Sequence, residues 1–67
     1  RNVELVIWSL TGQKVKTLLK DQLYPGYYSY DWKGQNDVGQ DVVSGIYFCT
    51  LIWNKKIYDS KKLIYVK

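Results

Sequence analysis

Between Tyr24 and Phe48 the chain sorts its turn formers and its β-formers into separate short blocks, and this punctuation restricts the fold more than any single residue does. Tyr24-Pro25-Gly26 comes first. Proline presets φ at the second position of a turn and glycine accepts the positive φ that a type II turn needs at the third. Tyr28, Tyr30 and Trp32 then alternate with Ser29 and Asp31, which predicts a strand over 28–32 with its aromatic rings on one face and Tyr27, Ser29 and Asp31 on the other. Residues 33–41 are polar or glycine apart from Val38, and Asn36-Asp37-Val38-Gly39 is turn chemistry, so this stretch reads as a loop. Ser44-Gly45 is a second, shorter break.

The flanking segments carry the same period of two. Val3, Leu5 and Ile7 fall on one face of residues 3–9, the pattern of a strand with one buried side. Thr11-Gly12 turns the chain, and residues 13–19 read as the return strand, with Lys14 and Lys16 on one face and Val15 and Thr17 on the other. Leu18-Leu19 beside Lys20-Asp21 could instead open a short helical turn. Residues 46–53 are an unbroken run of β-formers, with Tyr47, Cys49, Leu51 and Trp53 on one side and Ile46, Phe48, Thr50 and Ile52 on the other. Both sides are largely apolar, which predicts a central strand. Asn54-Lys55 forms a hairpin tip, and residues 56–66 return as a last strand, interrupted near Asp59-Ser60. The sum is an all-β chain of about five strands, with no helix of ordinary length.

A chain of 67 residues is one domain at most, and it buries too little surface to be comfortably stable alone. It therefore reads as a single module, residues 1–67, belonging to something larger or to an oligomer. Small domains are usually stapled by disulfides or a metal, yet Cys49 is the one cysteine and there is no histidine. An intrachain disulfide is excluded, and Cys49 reads as a small core residue. Ten basic against six acidic residues give a net charge of +4, which favours acidic partners without requiring them. Nothing resembles a signal peptide or a membrane-spanning helix.

Without histidine, neither a Ser-His-Asp nor a Cys-His arrangement can be built from this chain. A glycosidase pair would need two carboxylates across a cleft for which so small a fold has little room. Asp31, Asn36, Asp37 and Asp41 could gather around calcium, but their spacing does not follow an EF-hand loop. The plainer reading is that Asn36 and Asp37 bond their own backbone and, with Pro25, Gly26 and Gly39, shape turns. No catalytic residue, metal site or cofactor is expected. Three tryptophans and seven tyrosines invite stacking on sugars or bases, with Trp8 and Trp53 the candidates for exposed rings. The aromatic-basic signature of an RNA-recognition sheet is absent, so no nucleic-acid partner is expected.

Taken in order, these pieces resemble the immunoglobulin-like C-terminal modules of secreted bacterial proteins, the group that holds the type IX secretion sorting domains and the related domain of the flagellar hook-capping protein. The resemblance rests on Val6-Ile7-Trp8-Ser9-Leu10-Thr11-Gly12-Gln13-Lys14-Val15, on Pro25-Gly26-Tyr27-Tyr28, and on Trp32-Lys33-Gly34-Gln35-Asn36-Asp37-Val38-Gly39. Ser44-Gly45-Ile46-Tyr47-Phe48 and Lys61-Lys62-Leu63-Ile64-Tyr65-Val66-Lys67 complete it. It implies an antiparallel β-sandwich whose N-terminal strand is missing from this chain, at the C-terminus of a larger exported protein. The family's Asn-Pro-containing first strand is the piece that is not found.

The resemblance also implies what the module does. It would be a non-catalytic sorting and anchoring device, carried through the periplasm to the cell surface or medium and read by outer-membrane secretion machinery. Carried over by position, the sorting elements are Gly45, Tyr47, Lys62 and Lys67, with Lys67 as the native C-terminus. The other expected partners are a parent catalytic or adhesive domain, and a missing N-terminal segment or another chain that completes the sheet by strand addition. Two alternatives stand beside this reading: an accessory module packed on a catalytic domain, and a carbohydrate-binding module using exposed aromatics. The expected core is Leu5, Ile7, Val15, Tyr28, Tyr30, Trp32, Tyr47, Cys49 and Leu51.

Overall fold

The computed structural model describes residues 2–23, 26–27 and 29–67. Four strands, β1 (Asn2–Ser9), β2 (Lys14–Gln22), β3 (Gly45–Trp53) and β4 (Lys56–Tyr65), form one antiparallel sheet in the order β2-β1-β3-β4. The two strands richest in apolar residues, β1 and β3, take the middle, and the lysine-bearing strands take the edges. That placement follows from burial: a central strand has neighbours on both sides, so its side chains are the better shielded.

Two tight hairpins hold the register. In the first, the Gly12 amide donates to the Ser9 carbonyl (3.0 Å) and the Ser9 amide to the Gln13 carbonyl (2.8 Å), with Gly12 at φ +87°. In the second, Asn54 and Lys55 both have positive φ, 49° and 67°, as a two-residue mirror-image turn requires of both central positions. The hairpin tip expected at Asn54-Lys55 is therefore observed.

Three irregularities were not legible as such. β2 skips Leu18, passing from Leu5↔Leu19 to Val6↔Thr17, and skips Val15, passing from Ile7↔Lys16 to Trp8↔Lys14. Each inserted residue is a bulge that resets the alternation of faces. As a result Lys14 and Lys16 lie opposite residues of different faces, Trp8 and Ile7, rather than sharing one face as expected. Leu18-Leu19 stays within the strand instead of starting a helical turn, and β2 continues to Gln22. In β4, Tyr58 is the skipped residue, because Leu51 pairs with Asp59 and Ile52 with Ile57. The interruption expected near Asp59-Ser60 is not found: β4 runs unbroken from Lys56 to Tyr65, with only this bulge beside the expected place.

The strand expected over 28–32 is not formed. Of its residues, Ser29, Tyr30, Asp31 and Trp32 lie outside any strand; Tyr28, like the turn residue Pro25, lies outside the described residues. Among the described residues the count is thus four strands, not five. Alternating aromatics supply a face but no hydrogen-bonding neighbour, and Trp32 is held otherwise: its indole N–H donates to the Gln35 carbonyl at 2.8 Å. Tyr30 is 41% exposed, so it is not part of the core as expected.

The sheet has two unequal faces. On the first, Val3, Leu5 and Ile7 line up with Trp53, Leu51 and Cys49, and Tyr47 and Leu63 stand side by side on β3 and β4. Its end near Tyr47 is covered by Trp32, whose ring centroid lies 5.0 Å from that of Tyr47 and 5.3 Å from that of Tyr65. Ile7 and Tyr47 are buried there, while Leu5, Trp32, Cys49 and Leu51 are half-buried. Val15, at a bulge of β2, is also half-buried. On the second face Val6 is buried to 1% exposure and Thr50 to 7%, and the Trp8 indole N–H donates to the Thr50 hydroxyl at 2.7 Å. Val6 was not among the expected core residues, because the period of two marks only one of β1's faces as buried.

Gly34 is the tightest point. It is buried with φ +70°, and a Cβ there would collide with the Tyr65 ring. Gly34→Ala is expected to cost about 2–4 kcal/mol of unfolding free energy, combining left-handed backbone strain with overpacking. Gly39→Ala has the strain (φ +84°) but open space around its Cβ, and is expected to cost about 1 kcal/mol. Equilibrium urea unfolding of both variants checks the difference.

Candidate functional site

The sorting candidates meet at one end of the sheet, where β3 begins and β4 finishes. Gly45 pairs with Tyr65, Tyr47 with Leu63, and Phe48 with Lys62. Lys67 follows immediately: its amide donates to the Ser44 hydroxyl (2.9 Å) and its ammonium lies 3.8 Å from the Asp41 carboxylate. Both of these ionic groups are more than half exposed, so the pair adds little to stability. The register nonetheless places the candidates on different faces. Tyr47 is buried on the first face and its hydroxyl donates to the Val43 carbonyl at 2.6 Å, whereas Lys62 is exposed on the second. Gly45 is exposed, its φ is not in the left-handed region, and nothing stands within 4 Å of where a Cβ would be.

The loop that leads into this end is built by its polar side chains. The Asn36 carboxamide oxygen accepts from the amides of Val38 (3.1 Å) and Gln40 (2.9 Å), and the Gly39 amide donates to the Asn36 carbonyl (3.0 Å). Asp37 reaches further, to the edge of β2. Its amide donates to the Val15 carbonyl and its carboxylate accepts from the Thr17 amide, both at 3.0 Å. Since Gly34 sits against Tyr65 of the opposite edge strand, the loop spans the first face from β4 to β2. Asn36, Asp37 and Gly39 shape this loop, and of the oxygens weighed for calcium those of Asn36 and Asp37 are engaged with backbone N–H groups, while the Asp41 carboxylate accepts from the Gln35 side-chain amide at 3.5 Å and faces the Lys67 ammonium. The clasp from Asp37 to β2 was missed. Its only sequence signal is an Asx residue within a loop, which does not say which strand it will meet.

Trp8 and Trp53 do not share a platform. Trp8 pairs across from Phe48 and Trp53 across from Val3, at opposite ends and on opposite faces. Both rings are half-buried, and Trp53 stands 5.5 Å from the Tyr58 ring. Gly26 is exposed.

Below the covered end, the first face stays open as a groove of ≈ 240 Å³ lined by Leu5, Cys49, Leu51, Asp59, Ser60 and Lys61. Burial pushes the Cys49 thiol above its ordinary pKa, opposed in part by the Lys61 ammonium that faces it across the β3–β4 ladder. No cluster of three or more histidine, cysteine or carboxylate groups with metal-holding geometry occurs among the described residues.

Comparison of the chain with protein-family models, with curated proteins and with solved structures finds no match.

Two outcomes follow from this geometry. Asp37→Ala should lower stability by about 1 kcal/mol, while Asp37→Asn, which keeps an oxygen for the Thr17 amide, should cost less; thermal unfolding distinguishes them. For Cys49, the raised pKa means that the unfolded chain releases the thiol proton first. The associated stability is therefore present below the unfolded thiol's pKa and declines as pH rises through the folded value. The pH profile of iodoacetamide alkylation should be displaced to the alkaline side of a free thiol's, and the alkaline loss of stability should be smaller in Cys49→Ala.

Proposed function

We propose that this chain is a non-catalytic sorting and anchoring module of an exported protein, with its four-stranded sheet forming one layer of an immunoglobulin-like sandwich. The observation that carries the reading is the gathering of Gly45, Tyr47, Lys62 and Lys67 at one end of the β3–β4 hairpin, with two of them free of any fold-building duty. Tyr47 anchors that end by burial and by its bond to Val43. Gly45 and Lys62 are exposed and fill no space that the sheet needs, which leaves them available to a receptor. Outer-membrane secretion machinery is the proposed reader, and the proposed cargo is a secreted or cell-surface enzyme or adhesin to which the module is attached.

A second reading, an accessory module packed on a neighbouring domain, draws on the open groove beside Leu5 and Leu51. Half-buried apolar side chains of this kind are what an inter-domain contact or a second sandwich layer would cover. The carbohydrate-binding alternative gains no support from the separated positions of Trp8 and Trp53.

Export of the full-length parent protein in a type IX-competent host tests the sorting reading. Gly45→Ala and Lys62→Ala should leave stability within about 0.5 kcal/mol of the starting protein, as surface changes usually do. Both should nevertheless accumulate folded protein in the periplasm. Unchanged partition between periplasm, surface and medium would sink sorting and leave the accessory reading.

A further inference from the structure

The two edges of this sheet are not equivalent. β2 is bulged at Leu18 and Val15, and its outward backbone groups at Val15 and Thr17 are taken by Asp37. Bulges and local capping are the means by which proteins blunt an edge. On β4 the bulge at Tyr58 and the Asp59 carboxylate, which accepts from the Ser60 amide at 2.8 Å, blunt only the half near the hairpin tip. From Lys61 to Tyr65 the strand pairs one-to-one with β3, without a register shift. Among the described residues, no loop or side chain bonds the outer backbone groups of this stretch.

The side chains around the open stretch have a definite chemistry. Lys61 pairs with Cys49 on the first face and Lys62 with Phe48 on the second, so one cation stands on each side of the edge. Leu63 and Tyr65 follow on the first face and the exposed Ile64 on the second. Lys55, Lys56 and Lys67 add to the positive field, and Asp59 is the one carboxylate in residues 44–67. A second copy of this chain fits poorly, because antiparallel pairing centred on the lysines sets like charges opposite each other.

We propose that the β4 edge from Lys61 to Tyr65 accepts an acidic extended segment of another protein as an added strand. Main-chain hydrogen bonds would supply the affinity. Selectivity would come from two adjacent carboxylates, one for Lys61 and one for Lys62, next to apolar or β-branched residues opposite Leu63, Ile64 and Tyr65. The proposal rests on the sorting reading only in taking the terminal strand as the recognition element; it names the chemistry of the partner.

The test uses the full 67-residue chain and a short Val/Thr-rich peptide carrying a central Glu-Glu pair. Matched peptides carry Gln-Gln, Lys-Lys, or Glu-Glu with alternate backbone nitrogens methylated. Binding of the Glu-Glu peptide should shift the amide resonances of 61–65 and spare those of 14–22. It should weaken about tenfold with the Gln-Gln peptide or in Lys61→Gln/Lys62→Gln, and fall as salt rises. Methylation should abolish it. Equal binding of the methylated or Lys-Lys peptide, no binding of the Glu-Glu peptide, or shifts centred on β2 would each overturn the proposal. The far-ultraviolet spectrum of the double variant confirms that its two exposed substitutions leave the sheet intact. The export assay is separate: strand addition with normal export of Lys62→Ala keeps this proposal and removes sorting, and an export defect without strand addition does the reverse.

Discussion

The contact of Trp32 and Tyr65 with Tyr47, above a glycine that leaves room for the Tyr65 ring, is what the rest of this structure depends on. Four strands in one layer cannot make an interior by themselves; something must lie across a face. Here the cover at one end comes from a loop, and the loop stays in place because Trp32 meets both tyrosines in edge-on or tilted geometry. The third pair, Tyr47 and Tyr65, lies 6.4 Å apart. Pairs of this kind contribute roughly 0.5–1.5 kcal/mol each beyond the area they bury. With so few buried side chains available, that is a considerable share of the cohesion.

The loop also joins the two edges of the sheet. At one extreme Gly34 lies against Tyr65 of β4, and at the other Asp37 bonds the backbone of β2. Strands that are three places apart in the sheet are thereby tied by a polar segment with no regular structure beyond the Gln35–Asp41 bridge. The same tie explains the inequality of the edges: the side chain that holds the loop down is the one that closes β2, and among the described residues β4 has no counterpart over Lys61 to Tyr65.

How much of this could be read from the residues depends on the kind of signal. The period of two in residues 3–9 identified a strand with a buried side, the two apolar faces of 46–53 identified a central strand, and Asn54-Lys55 identified the second hairpin, because those signals are local. Bulges at Val15, Leu18 and Tyr58 were invisible, since an inserted residue looks like any other β-former until the partner's register is known. Alternation misled at Trp32. Its ring is apolar and its neighbours are polar, as in a strand, yet the ring's destination is a tyrosine pair far along the chain. Likewise Asn36 announced a turn, whereas the reach of Asp37 to Thr17 was a tertiary fact. Of the candidate site, Gly45, Tyr47, Lys62 and Lys67 came only from the family resemblance, and the opposite faces of Tyr47 and Lys62 needed the observed register.

The position of Lys67 beside Ser44 has a mechanical meaning. β4 runs back along β3, so its last residues sit against the first residues of its neighbour, at the end of the hairpin remote from the Asn54-Lys55 tip. A pull on the C-terminus away from the sheet loads these bonds in sequence instead of all together. The strand would peel like a zipper, from Tyr65 toward the tip, while β1 and β3 stayed paired. A motor or channel that grips the tail therefore meets a low, stepwise resistance at first, and the β1–β3 ladder only after β4 is gone.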